Sequence, residues 1–153
     1  MTHRVTGLVA TAALLQSLAA KHGLPAPVGL AGDLAILPLL DDALESLLAS
    51  PPAGYVPDFD HLSEQLAEML CKESANGTLL YFETEYFGGS GSQGAAVFQH
   101  GSCVFGPETG EIGPINRGLR LLGVTVRAPA LDEFETLGLH RHRHTAYWLD
   151  VER

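Results

Sequence analysis

The sequence predicts an α+β fold: a single domain over residues 1–153, with helices packed on one face of an antiparallel sheet. Three observations predict it. The 153 residues are 46% hydrophobic and 18% charged, with a mean hydropathy of +0.12, which supplies one apolar core and excludes a disordered chain. Apolar residues recur at helical spacing through much of the first half, whereas 78–105 is rich in aromatic and β-branched residues broken by glycine pairs. The chain shows no alternating strand–helix pattern, no internal repeat and no low-complexity linker.

The elements follow in chain order. Leu8, Ala12, Leu15, Leu18 and Ala19 recur at spacings of three and four, on one face of a first helix that Gly23 and Pro25 stop. The run Leu34, Ala35, Ile36, Leu37 predicts a buried strand ended by Pro38. Asp42, with Glu45 three residues on, resembles a capping box, and Leu44, Leu47 and Leu48 give the helix behind it an apolar stripe ended by Pro51 and Pro52. A loop is expected over 50–57. Asp60 then caps a helix whose buried face is Leu62, Leu66, Met69 and Leu70 and whose outer face carries Glu64, Glu68 and Lys72.

From Thr78 to Phe87 the sequence predicts a strand, which Gly88, Gly89, Ser90, Gly91 and Ser92 break. Residues 95–99 and 102–105, around His100 and Gly101, predict a hairpin. Pro114 opens a short helix carrying Ile115, Leu119 and Leu122 and closed by Gly123. Residues 124–126 return to strand character, and 132–137 make one more helical turn stopped by Gly138. Tyr147 and Trp148 are expected to form the last patch of core.

Eighteen acids stand against nine Lys and Arg, for a formal net charge of −9, so a phosphate backbone is repelled and no nucleic-acid partner is expected. The charge is uneven: residues 22–116 hold 13 acids and a single base, Lys72, whereas 117–153 hold six Arg and five acids. Such asymmetry fits internal pairing or a basic partner, beside the plainer reading of a solvated acidic surface. Cys71 and Cys103 lack metal-ligand spacing and fit reduced, partly buried thiols in a cytoplasmic protein, with Cys103 inside beside Val104 and Phe105. Arg4 before the apolar run at 8–15 resembles a weak signal peptide, but Gln16, Ser17 and Lys21 give that run a polar side, and it is read as a folded helix. No apolar stretch reaches the roughly 18 residues of a membrane span, so no membrane partner is expected.

The most distinctive segment runs from Glu83 through Glu85, Gly88, Gly89, Gly91 and Gln93. On a strand Tyr81, Glu83, Glu85 and Phe87 share one face, so two carboxylates lie side by side. They fit an acid pair of unequal pKa, a divalent-cation site, or simply the wet face of a sheet. Gly89 to Gly94 matches G-x-G-x-x-G formally, yet no helix is expected behind it to face a pyrophosphate, and no nucleotide or other cofactor is assigned. The glycines instead allow positive φ, and Gln93 offers a donor and an acceptor, as in a recognition loop. Ser90 and Ser92 lack a nucleophile-elbow context, and His61 is read as a residue of a helix start. The second constellation, His140-Arg141-His142-Arg143-His144, presents three imidazoles on one face if extended and aligns His140 with His144 if helical.

The stretch E-T-E-Y-F-G-G-x-G-x-Q at 83–93, the region 116–124 and the acidic-aromatic Asp132-Glu133-Phe134 together resemble a family of small bacterial proteins without an established activity. The resemblance covers about the C-terminal half of the chain. It brings no catalytic residue with it; in general look such proteins are similar to accessory proteins such as toxin-immunity factors.

The expectation is therefore a noncatalytic binding protein, an inhibitor or immunity-like factor that recognises a basic protein through an acidic strand and glycine-rich loop. Its binding residues would be Glu83, Glu85, Gly88, Gly89, Gly91, Gln93, Arg141 and His142, with no catalytic residue, metal ligand or cofactor assigned. The competing expectation is a small metal-dependent hydrolase in which His140, His142 and Glu85 hold the ion and Glu83 acts as base. The sequence sets no oligomeric state.

Overall fold

The computed structural model describes residues 2–48 and 51–149. Seven strands form one antiparallel sheet: β1 (Thr2–His3), β2 (Thr6–Thr11), β3 (Val28–Gly29), β4 (Leu34–Pro38), β5 (Thr78–Phe87), β6 (Ser90–Gln99) and β7 (Ser102–Gly110). Their order is β3-β4-β2-β5-β6-β7, with β1 paired to the far end of β5 beyond β2. The helices are α1 (Ala12–His22), α2 (Asp41–Leu47), α3 (Glu64–Glu73), α4 (Pro114–Leu121), α5 (Glu133–Leu137) and α6 (Thr145–Leu149), with a 3-10 turn at Leu139–Arg141.

The α+β class and the antiparallel sheet are as the sequence predicts, but the helices cover both faces, not one. Leu8, Leu37, Tyr81 and Phe98 point to one side, where α1, α2 and α3 bring Leu15, Leu18, Leu47, Leu66 and Leu70. Val9, Ile36, Leu80, Phe82 and Val97 point to the other, where Ile115, Leu119, Leu137 and Trp148 of α4, α5 and α6 meet them. Burying a large apolar side chain contributes about 1.5–3 kcal/mol, so five of them left in water would cost on the order of 10 kcal/mol, comparable with the stability of a whole domain. A strand covered on both faces shows a continuous apolar run and no alternation. Leu79-Leu80-Tyr81-Phe82, Ala95 to Phe98 and Ala35 to Leu39 are such runs, and every one of these residues is buried.

Local chemistry explains the other departures. Leu8 lies in β2, paired to Leu37 and Tyr81, so the first helix begins only at Ala12, where the Thr11 side chain accepts the Leu14 N–H at 3.3 Å. The helical spacing from Leu8 is fortuitous, because two strand partners claim residues 6–11. Ser63, not Asp60, caps α3 by accepting the Leu66 N–H at 3.0 Å. At α2 the N-cap is Leu40 with no side-chain bond, so the Asp42–Glu45 capping box does not form. The break after β5 is only the pair Gly88-Gly89, with φ of 61° and 87°, and β6 starts at once at Ser90. Residues 124–126 form no strand, because β7 already occupies the sheet edge beside β6. The loop expected over 50–57 is irregular across 51–57, with Tyr55 bridged to Ser63; residue 50 lies outside the described residues.

α4 approaches the sheet closely because Gly118 leaves room: a Cβ there would collide with Leu80 and come within 3.2 Å of Val97. Charge is uneven across the sheet. Exposed Asp41, Asp42, Glu45, Glu64 and Glu68 outnumber Lys21 and Lys72 on the side of α1, α2 and α3, whereas on the other side Arg117 and Arg120 are paired with Glu108 and Glu133 and the charge is nearly balanced. Among the described residues no helix is long and apolar enough to cross a membrane.

Candidate functional site

β5 is the spine of the site. Its middle is buried on both faces, and its C-terminal end, carrying Glu83, Glu85 and Phe87, runs out beyond the helical layer toward the loop preceding α3. Phe59 holds that loop in place: its ring lies over Gly94, where a Cβ would meet it at 2.5 Å, and sits 6.4 Å from the Tyr81 ring. Gly94 is opposite Glu83 in the sheet, so the missing side chain on β6 lets the loop reach the carboxylate on β5.

Glu83 is only 7% exposed, and its carboxylate is saturated from within the chain. It accepts the Asp60 N–H at 2.6 Å, the His61 N–H at 3.1 Å and the Tyr81 hydroxyl at 2.6 Å. Burial, and then the Glu83 carboxylate, push the Tyr81 phenol well above its ordinary value, which keeps it a donor. Glu83 thus fastens the 58–61 loop to the sheet and presents little to a partner.

Glu85, two residues on, is exposed. The Asp60 carboxyl borders the same hollow, and chiefly through this acidic neighbour Glu85 is held above the ordinary carboxylate range, with Arg4 and His61 acting in the opposite sense. Asp58, Asp60, Glu85, His61, Arg4 and Thr145 are among the residues around a polar hollow of about 90 Å³. Small-molecule pockets occupy about 300–1,000 Å³, so this one admits a single ionic group and not a substrate. Past it, Phe87 is 75% exposed at the Gly88-Gly89 turn.

The remaining expected residues have inward roles. Gly91 has φ 154°, and a Cβ there would fall on the Glu85 carbonyl oxygen, so the glycine serves the close approach of β6 to β5. Gln93 uses both its groups internally, donating to the Tyr86 hydroxyl at 3.0 Å and accepting the Ile115 N–H at 2.8 Å, which anchors the start of α4. The Tyr86 hydroxyl in turn donates to the Glu111 carbonyl. Arg141 donates to the carbonyls of Gly138 at 3.1 Å and Gly29 at 3.2 Å and lies over the Trp148 ring. His142 meets the same ring edge-on at 4.6 Å between centroids, and His144 packs on Tyr147.

The His-Arg segment is therefore neither a strand nor a helix of aligned imidazoles. It wraps the fully buried Trp148 and ties the N-terminal strands to the chain end, with the Arg4 N–H donated to the Arg143 carbonyl at 2.7 Å. His140, His142 and Glu85 do not assemble into a ligand set, and among the described residues no three His, Cys, Asp or Glu side chains are placed to hold a metal. Cys71 and Cys103 are free thiols, and Cys103 is exposed on β7, not inside as its neighbours suggest. Partial desolvation of the sulfur by the surrounding chain raises both thiols above their ordinary value, a poor setting for a reactive thiolate.

Asp58, Asp60, Phe87 and Arg4 border the site although the sequence placed none of them among the binding residues: Asp60 is expected there as a helix cap, and Phe87 only as a neighbour of Glu85 on the strand face. Asp58 and Asp60 flank Phe59, a signal that a buried aromatic pins two acids at a surface. Arg4 reaches the hollow only because β1 and β2 both pair with β5. No protein-family model matches the chain, and comparison with curated proteins and with solved structures gives no match.

Proposed function

We propose that the protein is a noncatalytic binding module that captures a basic protein, masking it as an inhibitor or immunity-like factor does, and that the end of the β5–β6 ribbon is its contact. One observation carries this reading: two carboxylates, Asp60 and Glu85, border one small polar hollow, two residues along the strand from an exposed Phe87. A guanidinium or ammonium group entering the hollow would meet both acids, while Phe87 supplies an aromatic anchor of the kind that dominates binding energy. The excess of exposed acids over Lys21 and Lys72 on the side of α1, α2 and α3 supports it, since a basic partner approaching that side meets a net negative surface.

The test is a photo-crosslinking residue at position 87, used in the protein's cell of origin with mass spectrometric identification. The expected product is one basic protein, whose yield falls with added salt and in Glu85→Gln with Asp60→Asn. Absence of a specific adduct, or an acidic adduct indifferent to salt, would overturn the reading.

A further inference from the structure

A second concavity lies on the opposite side of the sheet from the acidic helices. It is a cleft of about 560 Å³ between the β3–β4 turn, the segment after α4, and α5 with the 3-10 turn. Its size is that of a small-molecule pocket, several times larger than the acidic hollow. Its floor is apolar, from Leu34, Leu122, Val124 and Leu137, all of which belong to or pack against the core on that side.

The walls are already fixed by hydrogen bonds of the chain itself. The Ala31 N–H donates to the Leu137 carbonyl at 3.2 Å, the Val124 N–H to the Leu119 carbonyl at 3.1 Å, and the Arg127 N–H to the Thr136 hydroxyl at 3.1 Å. A ligand would therefore enter without first ordering the cleft, which lowers the cost of binding. The 122–132 segment, which frames one side, is a long connection without regular structure, a type of loop that commonly carries function.

The rim decides the ligand's chemistry. Arg127 and His140 are exposed there, and among the described residues neither side chain makes a hydrogen bond or ion pair. Two acids, Asp33 and Glu135, share that rim, Glu135 accepting the Leu131 N–H at 3.1 Å, but neither forms an ion pair with Arg127, whose guanidinium is left to a ligand. A guanidinium is a permanent, forked donor suited to carboxylate and phosphate oxygens.

We propose that this cleft binds a small amphipathic anion, its carboxylate or phosphate group on Arg127 with His140 beside it and its apolar body over Leu34, Leu122, Val124 and Leu137. The site is separate from the protein-binding surface, and neither proposal depends on the other.

Amide chemical shifts of the ¹⁵N-labelled full chain, titrated with phenylacetate, phenyl phosphate and, as an opposite-charge control of similar size, benzylamine, test it. At least one anion is expected to move the amides of Gly32, Gly123 and Thr125 together, saturably, in the millimolar range. Which of the two binds tighter separates a carboxylate from a phosphate ligand. Benzylamine is expected to bind at least about tenfold more weakly, and Arg127→Gln to reduce anion affinity by about tenfold with the rest of the spectrum unchanged. Non-saturating shifts, equal response to benzylamine, or anion binding undiminished in Arg127→Gln would each overturn the proposal.

Discussion

Replacing Glu83 is expected to destabilise the fold and not merely to weaken a binding surface, and the structure gives the size of the effect. In Glu83→Ala the Tyr81 hydroxyl, on a residue with no exposed surface, loses its acceptor, and two backbone N–H groups lose theirs. A hydrogen bond to a charged group contributes about 1.5–3 kcal/mol when its donor is fully buried. The Asp60 and His61 amides lie on a loop that water reaches, so each adds about 0.5–1 kcal/mol. Their sum, offset by the removal of a buried charge, comes to about 3 kcal/mol. Glu83→Gln keeps the shape and one acceptor oxygen and should lose about 1–2 kcal/mol; Tyr81→Phe, which leaves the carboxylate two donors, about 1 kcal/mol. Urea unfolding followed by circular dichroism measures all three, and the double variant gives the Tyr81–Glu83 coupling. A Glu83→Ala protein within about 0.5 kcal/mol of wild type would refute the fastening role, because that is the range of ordinary surface changes.

Glu85→Gln, by contrast, should leave the unfolding midpoint unchanged while weakening capture of a basic partner. Because Asp60 raises the Glu85 pKa, Glu85 takes up its proton at a higher pH than an ordinary glutamate, so affinity for a cationic partner should begin to fall at correspondingly higher pH. Affinity measured against pH should show that fall shifted to lower pH in Asp60→Asn. Gly91→Ala should open the end of the β5–β6 ribbon, seen as faster amide exchange at 85–92 without loss of the core, since the new Cβ meets the Glu85 carbonyl. The hydrogen bond from Arg120 to Glu133, 2.9 Å, holds that carboxyl below its usual range, so its stabilisation is present above the ordinary glutamate pKa and disappears as pH falls through the lowered one. Arg120→Gln should therefore reduce stability at neutral pH and flatten its acid dependence, as read from thermal midpoints across pH.

Legibility varied with how local the governing force is. β5 was readable to the residue at Thr78–Phe87, and the helical turn expected over 132–137 with its Gly138 stop falls within one residue of α5, because strand composition and stop chemistry act within a few positions. Leu8 misled, since its helical spacing to Ala12 and Leu15 is outweighed by pairing with Leu37 and Tyr81, distant in sequence. At the site, the alternation that puts Glu83, Glu85 and Phe87 on one face was legible. Their different environments were not: one carboxylate lies under the 58–61 loop, one borders a hollow with Asp60, and the phenyl ring stands in solvent. The His-Arg run carried the right residue types for a metal, and only the position of Trp148 shows why His142 and Arg141 turn inward.

By itself the sequence determined the α+β class, the order of most elements and the concentration of acid before residue 117, because composition, periodicity and turn chemistry are properties of short stretches of chain. Tertiary structure alone decided that both faces of the sheet are covered, that Glu83 is spent on Tyr81 and the 58–61 loop while Glu85 remains exposed, and that Arg127 and His140 border one cleft. Each of those outcomes depends on contacts between residues far apart in sequence, and burial by such contacts decides whether a charged group is a fastening or a surface.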